Sequence, residues 1–268
     1  MRAFLFACSY WLLSVVYVLA SLPLLALPGR GPVSRLIRSY TRAMNWALSS
    51  LAGIRKEVRG RAHLPEGAFV IAAKHQSWGD GFLIYPEIDN LAFVTGDHLE
   101  KLPLVGGILR KLGAIVIDTC GGGDRKAASL AEGMVQAKAE GRRVLIYPEG
   151  HLAPVGTHYR YKAGVWHMAR AMNVPVVPVA TNLGVFWAEQ EHAKTPGLAV
   201  IEFLEPIWPG PDKAEFLEAL TGAVETRTAE LVAEARRGPV VAPVLIPDPD
   251  KTARAAAQIK ASPASERA

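Results

Sequence analysis

Residues Ala68–Ala73 read AFVIAA, six apolar side chains in a row, and the next seven residues, Lys74–Asp80, read KHQSWGD. An apolar run without polar alternation is typical of a strand buried on both faces of a parallel sheet. In open α/β sheets, ligands bind just beyond the carboxyl ends of such strands. The two adjoining runs therefore predict a buried strand whose end carries a functional site, with His75 and Asp80 as its candidate residues.

Further apolar runs of strand length alternate with stretches of helical composition along the rest of the chain. The predicted strands are Leu91–Val94, Ala114–Ile117, Val144–Tyr147, Val176–Ala180 and Leu198–Phe203, and the predicted helices are Asp124–Glu140, Gly164–Met172 and Ala214–Arg236. Strands separated by helices indicate the α/β class. We expect one mostly parallel sheet flanked by helices on both faces.

A second polar segment, YPEGH over Tyr147–His151, follows another of these apolar runs. A Glu-Gly pair at a strand end places a carboxylate and backbone N–H groups beside a ligand, or it forms a turn that only reverses the chain. In the first segment, the carboxylate of Asp80 lies one short turn after His75, where it can orient the imidazole of a general base. A turn histidine is the alternative, because a His-x4-Asp pair arises by chance in roughly one such protein in five.

The composition excludes several classes of protein. The chain has 268 residues, half of them apolar, which is enough for one α/β domain with appendages and too apolar for a disordered chain. Its two cysteines, Cys8 and Cys120, exclude a disulfide scaffold, an iron–sulfur protein and a zinc ribbon. His151, His158 and His167 lack metal-ligand spacing, so no metal is expected. The net charge of +5 fits an anionic membrane surface better than nucleic acid.

The amino-terminal run Ala3–Leu27 contains no charged residue and is long enough to cross a hydrocarbon core of roughly 30 Å. A cleaved signal peptide is the alternative, but the run exceeds the usual apolar core of such a peptide and ends in Leu-Pro without a clear cleavage site. We therefore expect an uncleaved membrane anchor. Four arginines between residues 30 and 42 follow the run and Arg2 precedes it, which predicts that the rest of the chain lies on the cytoplasmic face.

A second helix is predicted over Pro32–Gly53, where apolar residues recur at helical spacing with arginines between them. Such a basic amphipathic helix either lies in the headgroup plane or packs on the soluble domain. The apolar run before it either spans the bilayer or dips into one leaflet. We expect a membrane anchor and basic amphipathic helix over residues 1–56, an α/β domain over 57–238, and a disordered tail rich in Pro, Ala and charge over 239–268.

Taken together and in order, the motifs resemble those of the glycerolipid acyltransferase family, of the 1-acylglycerol-3-phosphate acyltransferase type. The family's His-x4-Asp block matches His75 and Asp80, its Gly-x-Ile-x-Ile-Asp block is similar to Gly113–Asp118, its Phe-Pro-Glu-Gly block to Tyr147–Gly150, its Tyr/Phe-Lys-x-Gly block to Tyr161–Gly164, and its Val-Pro-Val-Val-Pro-Val block to Val174–Val179. The resemblance covers roughly Arg61 to Glu205, and an amino-terminal membrane-binding helical region is usual in the family.

The resemblance implies a fold and a reaction. His75 would act as general base on the acceptor hydroxyl, which attacks the thioester of acyl-CoA or acyl-carrier protein, while Asp80 holds and stabilises the imidazole. Glu149, Gly150 and His151 would belong to the acceptor-binding turn. Neither a covalent acyl-enzyme nor a cofactor is required. The implied function is acylation of a membrane lysolipid, above all 1-acylglycerol-3-phosphate, giving phosphatidic acid in phospholipid biosynthesis.

The sequence departs from the family at the cations expected to hold the acceptor phosphate, which needs charge-assisted donors. The family's Arg after Ile-Asp is Thr119 here, its Thr-Arg after Glu-Gly is His151-Leu152, and its lysine-bearing segment is similar to Thr95–Leu99, which has no lysine.

Two explanations are open for the missing cations. Other basic residues take over the phosphate, the candidates being Arg125, Arg160, Lys162 and Lys74. Alternatively, the acceptor lacks a phosphate monoester, as in lyso-ornithine lipid. A catalytically silent lipid-binding protein and a hydrolase are further alternatives, but the intact His-x4-Asp block favours a changed acceptor over lost catalysis.

Overall fold

The computed structural model describes residues 2–117, 130, 133–188 and 194–237. Its centre is a seven-stranded sheet with strands β1 Ile54–Arg59, β2 Val70–Ala73, β3 Leu91–Gly96, β4 Ile115–Ile117, β5 Arg143–Ile146, β6 Val176–Thr181 and β7 Gly197–Phe203. The order across the sheet is β1-β7-β6-β2-β5-β3-β4, and every neighbouring pair is parallel except β6 with β7. The prediction of a mostly parallel sheet is therefore confirmed.

Strand β2 shows why the central strands lack polar alternation. Ile71 and Ala73 belong to the hydrophobic core on one face of the sheet, and Val70 and Ala72 belong to the core on the other face. The strand pairs with β5 on one side and with β6 on the other, so neither an edge nor a face is left to solvent. A polar side chain at any of these four positions would lose its hydration, and the sequence is accordingly apolar.

The six predicted strands are found within two residues of their predicted bounds, but β1 was not predicted. Its sequence, IRKEVR, is charged at four of six positions, because β1 is an edge strand that pairs only with β7 and keeps most of its side chains half-exposed. The predicted division of the chain after residue 56 falls inside this strand.

The sheet is flanked by helices α1 Arg2–Leu25, α2 Gly31–Ala47, α3 Asp80–Ile84, α4 Asp97–Glu100, α5 Val105–Leu112, α6 Gly164–Met172, α7 Leu183–Phe186 and α8 Lys213–Arg236, and a segment over 133–139 is also helical. Helix α6 has its predicted bounds, whereas α3, α4, α5 and α7 were missed because four to eight residues are too few to show a helical period. Of the helix predicted from residue 124, residues 124–129, 131 and 132 lie outside the described chain, as does the predicted tail.

Helix α2 packs on the sheet domain, which is one of the two arrangements predicted for it. The Arg38 guanidinium donates hydrogen bonds to the carbonyls of Pro86 (2.9 Å) and Ile88 (2.8 Å). The Asn45 amide donates to the carbonyl of Phe82 at 2.9 Å. A π-helical turn over Leu48–Ala52 continues α2 and is capped by Gly53, which is the predicted end of this helix.

Helix α1 has one face on the protein and one outward apolar face. Its inner face hydrogen-bonds to α2 through the hydroxyls of Ser14 and Tyr40, 2.8 Å apart. Near its start, Phe6 is buried and its ring meets the Trp187 ring edge-on at 5.3 Å. On the outer face, Trp11 and neighbouring apolar residues are exposed. Within the described residues, α1 is the helix long and apolar enough to cross a membrane, and this is consistent with a membrane anchor.

Gly60, directly after β1, is the position where the fold most strictly requires glycine. Its φ is 70°, and a Cβ atom there would lie 1.9 Å from the carbonyl oxygen of Phe203 in β7. We expect Gly60→Ala to lower the free energy of unfolding by more than about 2 kcal/mol, because it adds a backbone clash to an unfavourable φ. The apparent melting temperature in detergent micelles measures this loss.

Gly67→Ala is the matched control. Gly67 also has a positive φ, 80°, but a Cβ atom there would meet no other heavy atom within 4 Å. We expect a loss of only about 1 kcal/mol from the unfavourable φ. Equal losses in the two variants would contradict the clash at Phe203.

Candidate active site

The two polar segments singled out in the sequence begin side by side. Strands β2 and β5 are parallel neighbours, and Ala72 pairs with Ile146 at their carboxyl ends. The segment Lys74–Asp80, here called the His75 loop, leaves β2, and the segment Tyr147–His151, here called the Glu149 turn, leaves β5. Parallel pairing thus brings residues more than 70 positions apart in sequence to one edge of the sheet.

Within the His75 loop, the imidazole is held by a buried carboxylate. His75 Nδ1 lies 3.0 Å from Asp80 Oδ2. The same oxygen accepts the backbone N–H groups of Gln76 (2.8 Å) and Ser77 (2.9 Å). Asp80 is 1% exposed, whereas the His75 side chain is 21% exposed. When Nδ1–H donates a hydrogen bond to Asp80, Nε2 carries the free lone pair of the ring and can accept a proton.

Tyr147 supplies a wall for the imidazole, a contact that sequence reasoning missed. The rings of His75 and Tyr147 stack at 3.9 Å between centroids with 17° between their planes. The Tyr147 hydroxyl is buried with no hydrogen-bond partner among the described residues. Burial, and in second place the nearby Asp80, raises the pKa of Tyr147 well above its ordinary value, so the phenol stays neutral. The available signal was the position of Tyr147 at the end of the neighbouring strand.

Glu149 joins the two segments from inside the protein. Its side chain is fully buried. One oxygen accepts from Lys74 Nζ (3.1 Å) and the Tyr159 N–H (2.8 Å), and the other accepts the His75 N–H at 3.4 Å. Burial raises the pKa of Glu149 to about 7, against the lowering effect of Lys74 and with a further increase from Glu225. Sequence reasoning placed Glu149 at the acceptor, whereas its observed contacts hold the chain around His75.

One of the predicted basic residues, Lys162, lies against the Glu149 turn. A Cβ atom on Gly150, whose φ is 72°, would lie 2.3 Å from Lys162 Nζ, so the ammonium rests against this glycine. Lys162 and Arg160 are both exposed. His151 is also exposed, and its ring meets the Tyr159 ring at 5.6 Å.

Four other residues entered the argument about the acceptor phosphate, as substitute cations (Lys74, Arg125) or as positions where the family's cations are missing (Leu152, Thr119). Lys74 is fully buried between two carboxylates and cannot reach a substrate, so its proposed role as a substitute cation is wrong. Leu152, where the family has arginine, is buried. Arg125 and Thr119 lie outside the described residues.

The His75 loop also touches the aromatic residues that receive α1. A Cβ atom on Gly79 would lie 2.6 Å from the Trp187 ring, so only glycine fits there without displacement. Trp187 packs against Phe6 of α1, at 5.3 Å between ring centroids. One tryptophan therefore separates the amino-terminal helix from the loop that carries His75.

Comparison with known proteins assigns this chain to a family. The model of the family described as Acyltransferase matches residues 55–182, which include both segments of the site. The 1-acyl-sn-glycerol-3-phosphate acyltransferase alpha of Ovis aries is 30% identical over 202 residues, 74% of this chain and 68% of the relative. The chain belongs to the acyltransferase family.

Two further likenesses agree with this acyltransferase assignment. The 1-acyl-sn-glycerol-3-phosphate acyltransferase of Pseudomonas aeruginosa is 34% identical over 173 residues, and the match spans 64% of this chain and 66% of the relative, just under two thirds of its length. The crystal structure of the 1-acyl-sn-glycerophosphate (LPA) acyltransferase PlsC from Thermotoga maritima superposes with a TM-score of 0.70 over 87% of this chain and 98% of that one. At 22% identity, this second likeness shows the fold.

Two substitutions distinguish the contribution of the stacked Tyr147 ring to activity from that of its hydroxyl. Tyr147→Phe keeps the ring and removes a buried group without a partner, so we expect acyl transfer within about threefold of wild type and a melting temperature no lower. Tyr147→Leu removes the wall beside His75, and we expect acyl transfer to fall about tenfold or more. Initial rates and melting curves of both variants provide the measurement. Equal loss of activity in both would show that the hydroxyl, not the stacked ring, matters.

Proposed function

We propose that this acyltransferase moves a fatty acyl chain from acyl-CoA or acyl-carrier protein to the free hydroxyl of 1-acylglycerol-3-phosphate, giving phosphatidic acid for phospholipid biosynthesis. The observation that carries the proposal is the His75–Asp80 pair, 3.0 Å apart at the end of β2, inside the stretch matched by the family. The relatives from Pseudomonas aeruginosa and Ovis aries are named as 1-acyl-sn-glycerol-3-phosphate acyltransferases, and this supports the acceptor.

In the proposed reaction, His75 Nε2 takes the proton of the acceptor hydroxyl as its oxygen attacks the thioester carbonyl. The tetrahedral intermediate collapses by breaking the carbon–sulfur bond. The imidazolium returns its proton to the leaving thiolate, which departs as the thiol. Asp80, buried and hydrogen-bonded to Nδ1, stabilises the imidazolium while it exists. The stacked ring of Tyr147 restricts the imidazole to the plane that this transfer uses.

We place the acceptor phosphate at the exposed side of the Glu149 turn. Lys162 and Arg160 are exposed cations that follow this turn in sequence, and the Lys162 ammonium rests against Gly150. Charged donors of this kind suit a phosphate monoester. The exposed His151 lies at the same turn and is a further candidate contact, with Arg125 as a candidate from sequence alone.

Loss of the base is the direct test of the mechanism. We expect His75→Ala and Asp80→Ala to lower the rate of acyl transfer at least about 100-fold, because general-base catalysis contributes on the order of 10²–10⁴. The assay follows radiolabelled acyl donor into 1-acylglycerol-3-phosphate, lyso-ornithine lipid and lysophosphatidylglycerol in separate reactions. His167→Ala, on the exposed side of α6, serves as the histidine control and should keep wild-type rates.

Each outcome of this assay has a distinct meaning. Preference for 1-acylglycerol-3-phosphate supports the proposed acceptor, and Lys162→Ala should then raise its KM. Preference for lyso-ornithine lipid would show that Leu152 and His151 accompany a changed acceptor. Normal turnover by His75→Ala would overturn the mechanism, and free fatty acid released without acceptor would indicate a hydrolase.

We further propose that the outer face of α1 enters the cytoplasmic leaflet while its inner face stays on the protein. The inner face is occupied by α2 and Trp187, as the Ser14–Tyr40 hydrogen bond and the Phe6 ring contact require. Trp78, in the His75 loop, is 61% exposed, and a tryptophan ring suits the headgroup region. This arrangement brings His75 to the depth where a lysolipid presents its hydroxyl.

Protease protection distinguishes entry into one leaflet from a full span. In sealed vesicles with the cytoplasmic face outward, we expect added protease to cleave a tag at the amino terminus as well as a tag at the carboxyl terminus. The carboxyl-terminal tag is the control for vesicle orientation. Protection of the amino-terminal tag alone would contradict the one-leaflet arrangement and support a single transmembrane helix.

A further inference from the structure

Helix α8 contributes a carboxylate to the interior of the site. Glu225, in the middle of α8, places its two oxygens 2.9 and 3.0 Å from Lys74 Nζ. Lys74 is fully buried, and the Glu225 side chain is 19% exposed. The two residues are 151 positions apart in sequence, and Lys74 directly precedes His75.

The surroundings fix both ends of this ion pair. The ammonium of Lys74 also donates to the Thr157 carbonyl (2.9 Å) and to Glu149 Oε2 (3.1 Å), so its three protons have protein acceptors. The Tyr161 hydroxyl donates to Glu225 Oε1 at 2.8 Å. These contacts with Lys74 and Tyr161 fix the orientation of the Glu225 carboxylate.

The contacts continue from Lys74 to the candidate base. Glu149, held by the Lys74 ammonium, accepts the backbone N–H of His75 at 3.4 Å. Lys74 is joined to His75 by the peptide bond as well, so two routes connect Glu225 to the backbone that carries the imidazole.

We propose that Glu225 is a positioning residue of this acyltransferase, which acts through Lys74 and Glu149 to hold the His75 backbone in register with Asp80. The inference rests on the proposed role of His75 as general base. Glu225 would touch neither substrate, and its contribution would appear in the rate of the chemical step and leave substrate binding unchanged. A displacement of a reacting group by about 1 Å is enough to reduce a rate by up to 10²-fold.

The charges around Glu149 provide a second readout. The titratable side chains that make these contacts with Glu149 or with its partners are Lys74, Glu225 and Tyr161. The carboxylates of Glu149 and Glu225 share the Lys74 ammonium. Glu225 contributes to the raised pKa of Glu149, after burial, so removal of its charge lowers the pKa of Glu149. Glu149 then stays ionised, and keeps Lys74 and the His75 N–H, to lower pH. The acid limb of kcat against pH should move to lower pH when Glu225 becomes neutral.

The experiment compares Glu225→Gln with Glu225→Ala in the full-length protein in lipid micelles, measuring kcat and KM for labelled acyl-CoA and 1-acylglycerol-3-phosphate across pH. We expect kcat to fall about tenfold or more in Glu225→Ala, with both KM values within about twofold of wild type. Glutamine keeps one acceptor for Lys74 and Tyr161, so Glu225→Gln should recover part of kcat and show the shifted acid limb.

Glu218→Ala, an exposed carboxylate two turns earlier on α8, is the matched control and should leave kcat, KM and the pH profile unchanged. If Glu225→Ala does not fold, the glutamine variant decides. Wild-type kcat and acid limb in Glu225→Gln, or a change confined to KM, would overturn the inference. Inactive wild-type protein with every acceptor would instead overturn the proposed function, so the two failures are distinguishable.

Discussion

Removing a lysine ammonium from water costs several kcal/mol unless other groups replace its hydration, and such a charge is tolerated only where carboxylates and carbonyls surround it. The Lys74 ammonium meets this condition with Glu149, Glu225 and the Thr157 carbonyl. These partners come from the turn after β5, from the long carboxyl-terminal helix and from the loop between them. The Lys74 ammonium is therefore fully hydrogen-bonded only when distant parts of the chain are folded together. His75, the candidate base, is the next residue after this lysine.

The sheet determines which residues can meet at this point. Parallel pairing of β2 with β5 brings the His75 loop and the Glu149 turn out at one edge, and β6 closes the other side of β2. Because β2 is buried on both faces and paired on both sides, its carboxyl end is held firmly. The imidazole that follows is then oriented by three local features: the Asp80 carboxylate, the Tyr147 ring and the N–H contact with Glu149. Catalytic groups on rigid strand ends need little reorganisation during reaction.

Sequence reasoning found what is written in local pattern. Strands buried on both faces are runs of apolar residues, so β2, β5 and β6 could be predicted within two residues. The charged edge strand β1 has no such pattern and was missed. At the site, His75 and Asp80 lie five residues apart and their pairing could be predicted from this spacing. The family match supports the resemblance seen in the five motif blocks.

Contacts across long sequence distances could not be predicted in the same way. Lys74 looked like a solvated cation near a phosphate, because the carboxylate of Glu225 that neutralises it lies on a helix 151 positions later. Glu149 is buried as well, and its carboxylate accepts from Lys74 and from the N–H groups of His75 and Tyr159. Both residues are polar side chains at a strand end, a pattern shared by substrate contacts and by buried support, so the local sequence alone does not distinguish the two roles.

The position of Trp187 has a consequence for how this molecule can be divided. Its ring lies against both Phe6 and Gly79 of the His75 loop, and Phe6 belongs to the same hydrophobic core as Ile71 and Ala73 of β2. A protein shortened to remove the apolar helix α1 would lose part of its hydrophobic core as well as its membrane-facing surface. Helix α1 and the sheet domain therefore share one folded core, and deleting α1 to gain solubility would lower the stability of the domain that carries His75.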